Sequence, residues 1–562
     1  MKKIFSILLA SVAMSSCVDT VILPDNKILD EDYWQKKNEV DAVVAAAYSQ
    51  LRDQVFMRSI VVWGDFRSDE LNLSATLPPS ATYKDDLEAI YSLNILPSNT
   101  FTSWAPLYSA INYCNLVLEK AEGVVAVDPD YTYGDYETNR SQVLALRALC
   151  YFTLVKVFRD VPVTPGAYME SSADQNAEQK APAEVLQMCI DDLLAAEPNA
   201  PSNNAFSSAE TSIDWRNRGL FNKDGINALL ADIYLWRASV NHDVNDYQKC
   251  VEACDKVIAA KKNAHVLRPM EQEQDYYLAS VATYYTSVFG SANSEESIFE
   301  LQFSSSQTTS NAGLCQMYRA YRLNSQNNGY FMTTSNYAVP NSSRTSPNIF
   351  KNNVDQRLYE SSYNAGGQFD EYRVRKFVAE ESTPLGQADG GINSRIGDFY
   401  QNWIFYRLTD VMLMKAEALV QLDRLEDAFN LVKAVNDRAL PTDVADNMRL
   451  NFNTYRDDME KLVLQERARE LCFEGKRWFD LMRYNYRHME GVDYTRKLAD
   501  MTSYPQNYND FLELALSKYS STAAMKAKMP TEPYLYMPIN EDEVDLNTNL
   551  RQNPVYFSTS TY

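Results

Sequence analysis

Apolar residues recur every three or four positions in several stretches of the chain, a spacing that places them along one face of an α-helix. The pattern predicts helices over residues 30–52, 104–121, 139–158 and 182–196. Asp160 and Pro162 follow the third of these stretches. Because proline lacks a backbone N–H and restricts the residue before it, that helix is expected to end there.

Two further segments have the spacing of tetratricopeptide helix pairs, in which small residues let the two helices touch. They are residues 227–260 and 408–439. In the first pair, residues 241–245 are expected to form a loop longer than the standard turn of the repeat. Because the pairs are degenerate and far apart, the pattern predicts an irregular, mostly α-helical body rather than a regular solenoid.

Two polar stretches, residues 64–100 and about 265–400, are predicted to be loop-rich, with little β-structure. Within the second stretch, residues 296–303 alternate polar and apolar side chains, which predicts one strand. Loops of this length inside a compact protein usually carry function. The candidate binding residues are therefore sought in these two stretches.

The first residues of the chain have the pattern of a secretory signal. Residues 1–16 carry two lysines and then an apolar stretch that is too short to span a bilayer. Small residues precede Cys17, an arrangement that resembles a bacterial lipobox, in which the cysteine is lipidated and becomes the first mature residue. An ordinary signal peptide with an incidental cysteine is the alternative. Residues 17–29 are then expected to form a lipidated tether.

Composition and charge narrow the possible functions. The chain has 562 residues, of which 45% are hydrophobic, so a sizeable core can be buried. Its formal net charge of -22 repels phosphate backbones, and we expect no nucleic-acid partner.

The chain also has little of the material that enzymes and metal sites use. It has only three histidines, which argues against a His-rich metal site, and we expect no cofactor; the sequence leaves open whether a structural Ca2+ is bound. The seven cysteines after Cys17 are expected to be buried small hydrophobes rather than a disulfide framework. No nucleophile-elbow, HExxH, Walker or Rossmann pattern occurs, which favours a protein that is not an enzyme.

A binding function can use what the chain has in abundance, which is aromatic and polar loop residues. Flat rings pack on the C–H faces of sugars, and acidic, amide and guanidinium groups hydrogen-bond to sugar hydroxyls. The candidate ligand-binding residues are Trp63, Asp65, Arg67, Tyr83, Tyr284, Tyr330 and Phe331. The alternative is that most loop aromatics are packing residues, with at most about a third of them contacting a ligand.

Six sequence blocks, in order from about residue 30 to the C-terminus, together resemble the SusD/RagB family of outer-membrane nutrient-uptake lipoproteins. The blocks begin at Asp32-Tyr33-Trp34, Trp104, Leu146-Arg147-Ala148, Arg407-Leu408, Glu466-Arg467 and Tyr536-Met537-Pro538. The family usually has glycine before the aspartate of the third block. Here Arg159 stands at that position, so a different local turn is expected.

The resemblance implies a single α-helical SusD-like domain over residues 30–562, with an N-terminal part to about 260 and a C-terminal part from about 265. It implies a lipid-anchored protein of the outer membrane at the cell surface. It also implies a partner, a SusC-like TonB-dependent transporter, to which a captured oligosaccharide is passed without bond cleavage. A peptide cargo, as in the RagB branch, a surface glycoside hydrolase and a pure protein-binding adaptor remain the alternatives.

The fifth block alternates acidic and basic residues three or four positions apart. The predicted pairs are Glu466 with Arg469, Arg467 with Glu470, Glu474 with Arg477, and Asp480 with Arg483. Such pairs lie on one helix face, and the pattern favours a solvated or ion-paired surface over catalytic carboxylates.

The sixth block is expected to form an extended C-terminal segment packed over the body.

The lipobox pattern predicts the effect of replacing its cysteine. Cys17→Ser removes the thiol that would accept the acyl chains, so the protein should move from the membrane pellet to the soluble fraction and lose labelling by a palmitate analogue. Ser16→Ala, next to it, should leave both properties unchanged. Membrane retention of the Cys17→Ser variant would contradict the lipid anchor.

Overall fold

The computed structural model describes residues 33–75, 77–168, 176–207, 213–262, 278, 285–290, 292–304, 309–319, 329–337, 349–350, 354–364, 372–377, 400–441 and 443–556. Cys17, the predicted signal peptide, the tether and Tyr284 lie outside these residues.

Helices dominate the described chain. In the N-terminal part they are α1 Lys37–Gln50, α2 Gln54–Val61, α3 Lys84–Tyr91, α4 Ala105–Val124, α5 Tyr133–Phe158, α6 Pro182–Ala196, α7 Arg216–Gly219, α8 Lys223–Asn241 and α9 Val244–Lys262. In the C-terminal part they are α10 Ala312–Tyr318, α11 Arg357–Ser361, α12 Leu408–Gln421, α13 Leu425–Arg438, α14 Phe452–Tyr455, α15 Met459–Glu470, α16 Arg477–Arg487, α17 Asn509–Ala515, α18 Thr522–Lys526 and α19 Glu541–Leu546.

The strands are short and form two-stranded antiparallel ribbons. They are β1 Leu71–Leu73, β2 Val161–Pro162, β3 Gln179–Lys180, β4 Ser297–Leu301, β5 Phe331–Thr333, β6 Ser362–Asn364, β7 Tyr372–Val374 and β8 Trp403–Arg407. The ribbons pair β1 with β5, β2 with β3, β4 with β8 and β6 with β7. The mostly helical fold is therefore confirmed, and β4 confirms the strand predicted over residues 296–303.

The apolar periodicity located the long helices well. All four predicted helices form, although the third begins at Tyr133, before the predicted position. Both predicted helix pairs form as well, α8 with α9 and α12 with α13, and the helices of each pair pack against each other. Tyr133–Phe158 is the one helix of the described chain that is long and apolar enough to cross a membrane, and 89% of its most apolar window is buried in the protein.

Two local predictions are wrong. The stretch predicted as loop over residues 64–100 contains helix α3, because Leu87 and Ile90 bury one side of a helix only eight residues long. The loop predicted over residues 241–245 contains only His242 and Asp243 between its two helices. His242 adopts a left-handed conformation, φ 55°, that ends the first helix abruptly and allows the tight turn.

Arg159 occupies a position whose backbone favours glycine. Its φ is 66°, in the left-handed region. The side chain is fully buried, and its guanidinium donates to Glu532 at 2.8 Å, to Asp160 at 2.8 Å and to the carbonyl of Asp493 at 2.9 Å. These bonds tie the end of α5 to the C-terminal region and offset the backbone strain.

The C-terminal segment packs over the body as predicted, but it is not extended throughout, because helix α19 lies within it. Tyr536 is buried, and the N–H of Met537 donates to the carbonyl of Val157 at 2.9 Å. Asn553 donates to the carbonyl of Pro533 at 2.9 Å, so the end of the segment folds back on its own beginning.

The cysteines of the described residues are free thiols. Six are buried and Cys315 is half-buried. This agrees with their interpretation as small hydrophobic residues.

The charges of the fifth block are buried rather than solvated. Two of the four predicted helix-face pairs form, Glu466 with Arg469 at 2.7 Å and Asp480 with Arg483 at 2.7 Å. The other charges bind distant partners instead. Arg467 bonds to Asp480 and to Asp410, Glu474 bonds to Arg407 and Lys376, and Arg477 bonds to Asp69.

Glu470 joins three arginines of this network. It accepts hydrogen bonds from Arg357 at 2.9 Å, from Arg407 at 2.6 Å and from Arg438. Burial alone would raise its pKa, but the guanidinium groups of Arg438, Arg407 and Arg357 hold the pKa of Glu470 well below its usual range. The carboxylate is therefore charged, and it neutralises cations from three separate segments.

Removing this one negative charge should destabilise the whole fold. Glu470→Gln leaves three buried guanidinium groups with too little counter-charge, and the free energy of unfolding should fall by about 3–5 kcal/mol. The matched control is Glu88→Gln, which breaks the exposed Lys84–Glu88 pair at 3.0 Å and should cost no more than about 1 kcal/mol. Urea denaturation followed by circular dichroism measures both, and equal effects would contradict the importance of the network.

Candidate functional site

The sequence-predicted residues Trp63 and Asp65 lie on a single turn of π-helix, Val62–Phe66, that continues helix α2. Such turns are frequent at functional sites. The indole of Trp63 is 1% exposed, donates to the carbonyl of Phe101 at 2.9 Å and packs edge-to-face on Phe158 at 5.8 Å. In this structure the indole is thus covered by protein.

Asp65 is fully buried and joins the π-turn to the beginning of helix α16. It accepts hydrogen bonds from the N–H of Gly475 at 2.8 Å and from the hydroxyl of Tyr318 at 2.9 Å. A Cβ on Gly64 would lie 2.2 Å from the carbonyl oxygen of Gly475, and Gly475 itself has a φ of +72°. Only glycine at both positions permits this backbone contact.

Two buried acids lie close together here. Burial raises the pKa of Asp65 to about 7. The pKa of Glu70 is raised well above its usual value, mainly by burial and to a smaller extent by the charge of Asp65. Glu70 accepts the N–H of Phe473 at 3.0 Å. The pair is a structural clamp inside the protein rather than an exposed acid–base pair.

Arg67 and Phe331 are also buried among protein groups. The guanidinium of Arg67 lies 4.5 Å from the ring centre of Trp478, and burial lowers its pKa to about 10. The ring of Phe331 stacks on Phe66 with 4.5 Å between the ring centres. This stack holds strand β5 against the π-turn.

Tyr83 and Tyr330 are half-buried, and the structure brings them together from positions 247 residues apart. Their ring centres are 5.7 Å apart, and the N–H of Tyr83 donates to the hydroxyl of Tyr330 at 3.3 Å. The guanidinium of Arg58 lies 4.9 Å from the ring centre of Tyr83 and donates to the amide oxygen of Gln316 at 2.9 Å. We call Arg58, Tyr83, Gln316 and Tyr330 the tyrosine shelf.

The sequence search missed two members of the shelf. Arg58 lies in helix α2 and Gln316 in helix α10, whereas candidates were sought in the loops. Neither residue has a local signal, since each reaches the shelf only through the tertiary packing of its helix. In the described parts of the chain, no group of three or more His, Cys, Asp or Glu side chains is arranged to hold a metal ion.

Both parts of the chain match models of known protein families. Residues 351–556 match the model described as "SusD family", and residues 24–235 match the model described as "Starch-binding associating with outer membrane". Among curated relatives, SusD-like protein P38 of Formosa agariphila is 26% identical over 508 residues, which are 86% of this chain and 90% of that protein. SusD-like protein P2 of the same organism is 24% identical over 399 residues, 68% of this chain and 70% of that one.

Solved structures share the fold. A SusD superfamily protein from Bacteroides thetaiotaomicron superposes with a TM-score of 0.64 at 22% identity, covering 93% of this chain and 99% of that one. NanU of B. fragilis superposes with a TM-score of 0.64 at 19% identity, covering 96% of this chain and all of its own.

The chain has the helical fold of the SusD superfamily structures, and the model that matches residues 24–235 is described as associated with the outer membrane. The chain belongs to the SusD/RagB family. Membership implies binding of a glycan or other nutrient at the surface, and SusD-like proteins are generally non-catalytic.

The buried acids predict a pH dependence of stability. Because the folded-state pKa of Asp65 is about 7, above its usual value of 3.8, the protonated acid stabilises the fold at low pH, and stability falls as pH rises from about 4 to about 7. Asp65→Asn should flatten this fall, though not abolish it, because the pKa of Glu70 is raised in the same direction. Urea denaturation at several pH values measures the slope.

The exposed Asp446→Asn variant is the control and should keep the slope of the parent protein. An unchanged slope in the Asp65→Asn variant would show that Asp65 is ionised across this range in the folded protein.

Proposed function

We propose that this protein is a cell-surface glycan-binding lipoprotein that captures oligosaccharides and passes them to a SusC-like TonB-dependent transporter without cleaving them. In this proposal residues 1–16 are a signal peptide, Cys17 carries the lipid, residues 17–29 are the tether, and the rest is one binding domain. The observation that supports it best is the tyrosine shelf. The family and its described association with the outer membrane support the location.

The chemistry of the shelf suits a sugar. The two tyrosine rings offer π-faces to the C–H faces of a pyranose, and their hydroxyls can donate or accept. The exposed amide of Gln316 supplies a further hydrogen-bonding group beside the rings, while the buried guanidinium of Arg58 holds Tyr83 and Gln316 in place. A shallow surface of this kind can bind a segment of a chain without enclosing its ends.

Of the seven residues predicted from the sequence, we propose Tyr83 and Tyr330 as ligand contacts. Four others are buried and contact protein groups, so we propose that they support the shelf from inside the protein: Trp63, Asp65, Arg67 and Phe331. Tyr284 lies outside the described residues, and its role as a ligand contact stays a prediction.

A binding function without catalysis is favoured by the arrangement of acids. Glycoside hydrolysis requires two carboxyl groups that flank the bond and reach the substrate. The paired acids Asp65 and Glu70 are 0% exposed, so they cannot flank a bond of a bound glycan. A transporter partner would receive the ligand at a high effective concentration if both proteins stand on the same membrane.

The shelf predicts which substitutions weaken glycan binding. Tyr83→Ala and Tyr330→Ala each remove one ring face, and binding should weaken about tenfold, equivalent to about 1.4 kcal/mol. Tyr133→Ala is the matched control, since Tyr133 is 58% exposed at the beginning of α5 and should leave affinity unchanged. Affinity electrophoresis against a panel of neutral polysaccharides measures the effect.

Three outcomes would contradict this proposal. New reducing ends in the polysaccharide would indicate a glycoside hydrolase. Binding of a peptide pool without any glycan would indicate a RagB-like peptide carrier. Co-purification of a transporter barrel with a protein that binds neither would indicate an adaptor.

A further inference from the structure

A second concave surface lies apart from the tyrosine shelf. It has a volume of about 470 Å³, within the range of about 300–1,000 Å³ that is usual for small-ligand sites. Helix α15 and the region of helix α17 supply most of its lining, together with the segment that follows strand β5. We call it the α15–α17 groove.

The groove and the shelf lie beyond opposite ends of the β1–β5 ribbon. In the ribbon Leu73 pairs with Phe331 and Leu71 pairs with Thr333. Tyr330 of the shelf directly precedes strand β5, whereas Asn336 of the groove follows it. No shelf residue lines the groove, so the two surfaces can be altered independently.

Each charged side chain that lines the groove, within the described residues, already has a counter-charge. Asp69 pairs with Arg477 at 2.8 Å, and both are buried. Lys461 pairs with Asp510 at 3.2 Å, and Glu513 pairs with Lys526. Acidic and basic groups of the described lining are thus matched in pairs, which leaves no unmatched charge there to attract an ionic ligand, so the groove favours an uncharged ligand.

The other lining groups are suited to hydroxyls and to C–H surfaces. Asn336 donates to the hydroxyl of Ser517 at 3.2 Å, which leaves its amide oxygen and the serine's own O–H for a ligand. Gln465 adds a second amide. Leu464 and Leu514 provide an aliphatic surface. Polar edges beside a small apolar surface match the two chemical faces of a sugar.

We propose that the α15–α17 groove is a second ligand site, which binds a short segment of a neutral saccharide independently of the tyrosine shelf. The inference rests on the proposed function, since it assigns the same class of ligand to a new surface. The described lining residues include no aromatic ring, so each sugar loses the stacking available at the shelf, and the groove should be the weaker of the two sites. A chain long enough to contact both would gain apparent affinity.

The test is isothermal titration with maltohexaose, xylohexaose, laminarihexaose and mannohexaose. The wild-type protein should bind one of these at two sites of unequal affinity. Ser517→Trp places a large side chain in the groove from an exposed position, and it should remove the weaker site while leaving the stronger one. Ser520→Trp, exposed three residues further on and outside the groove lining, should retain both sites.

The shelf variant separates this inference from the proposed function. Tyr330→Ala should weaken the stronger site about tenfold and leave the weaker one. A second groove variant is Gln465→Trp. If the wild-type protein has a single site that weakens in Tyr330→Ala and is unchanged in both Ser517→Trp and Gln465→Trp, the proposal of a second ligand site in the groove is wrong, whereas the proposed function stands. No binding of any hexasaccharide would contradict the proposed function, and the groove with it.

The preference for a neutral ligand has its own measurement. Hexagalacturonate, which carries a carboxylate on each unit, should not compete for the weaker site. Equal competition by this acidic hexasaccharide would overturn the assignment of an uncharged ligand.

Discussion

The buried ion pairs around Glu470 hold together segments that are far apart in the chain. Arg357 binds Glu470 across 113 residues and Arg407 binds it across 63. A charge left unpaired in the interior costs several kcal/mol, so these groups must all be in place together. The network therefore favours one arrangement of helix α15, strand β8 and the beginning of helix α11.

This constraint extends to the candidate site through a short series of contacts. Glu474, which bonds to Arg407, directly precedes Gly475, and the N–H of Gly475 binds Asp65. Asp65 fixes the π-turn, and Phe66 of the same turn stacks on Phe331. Tyr330 directly precedes Phe331, so the position of the shelf depends on the buried ion-pair network.

The same contacts explain which parts of the site could be predicted. Trp63 and Asp65 were expected in an exposed loop, although the residues that precede Trp63, from Ile60 to Val62, are apolar. Their burial follows from Gly64 and Gly475, which bring two distant backbones into contact. Arg58 and Gln316 belong to the candidate site because two helices pack side by side, and no spacing in the sequence predicts that packing.

The sequence by itself determined the long helices, strand β4 and the family, because apolar periodicity and motif order are local and linear properties. Only the tertiary structure decided the partners of the charged residues and the exposure of the aromatic ones. Arg467 has Glu470 within reach along its own helix, yet it binds Asp480 and Asp410, since the pairing of a buried charge is set by whichever groups the fold brings beside it.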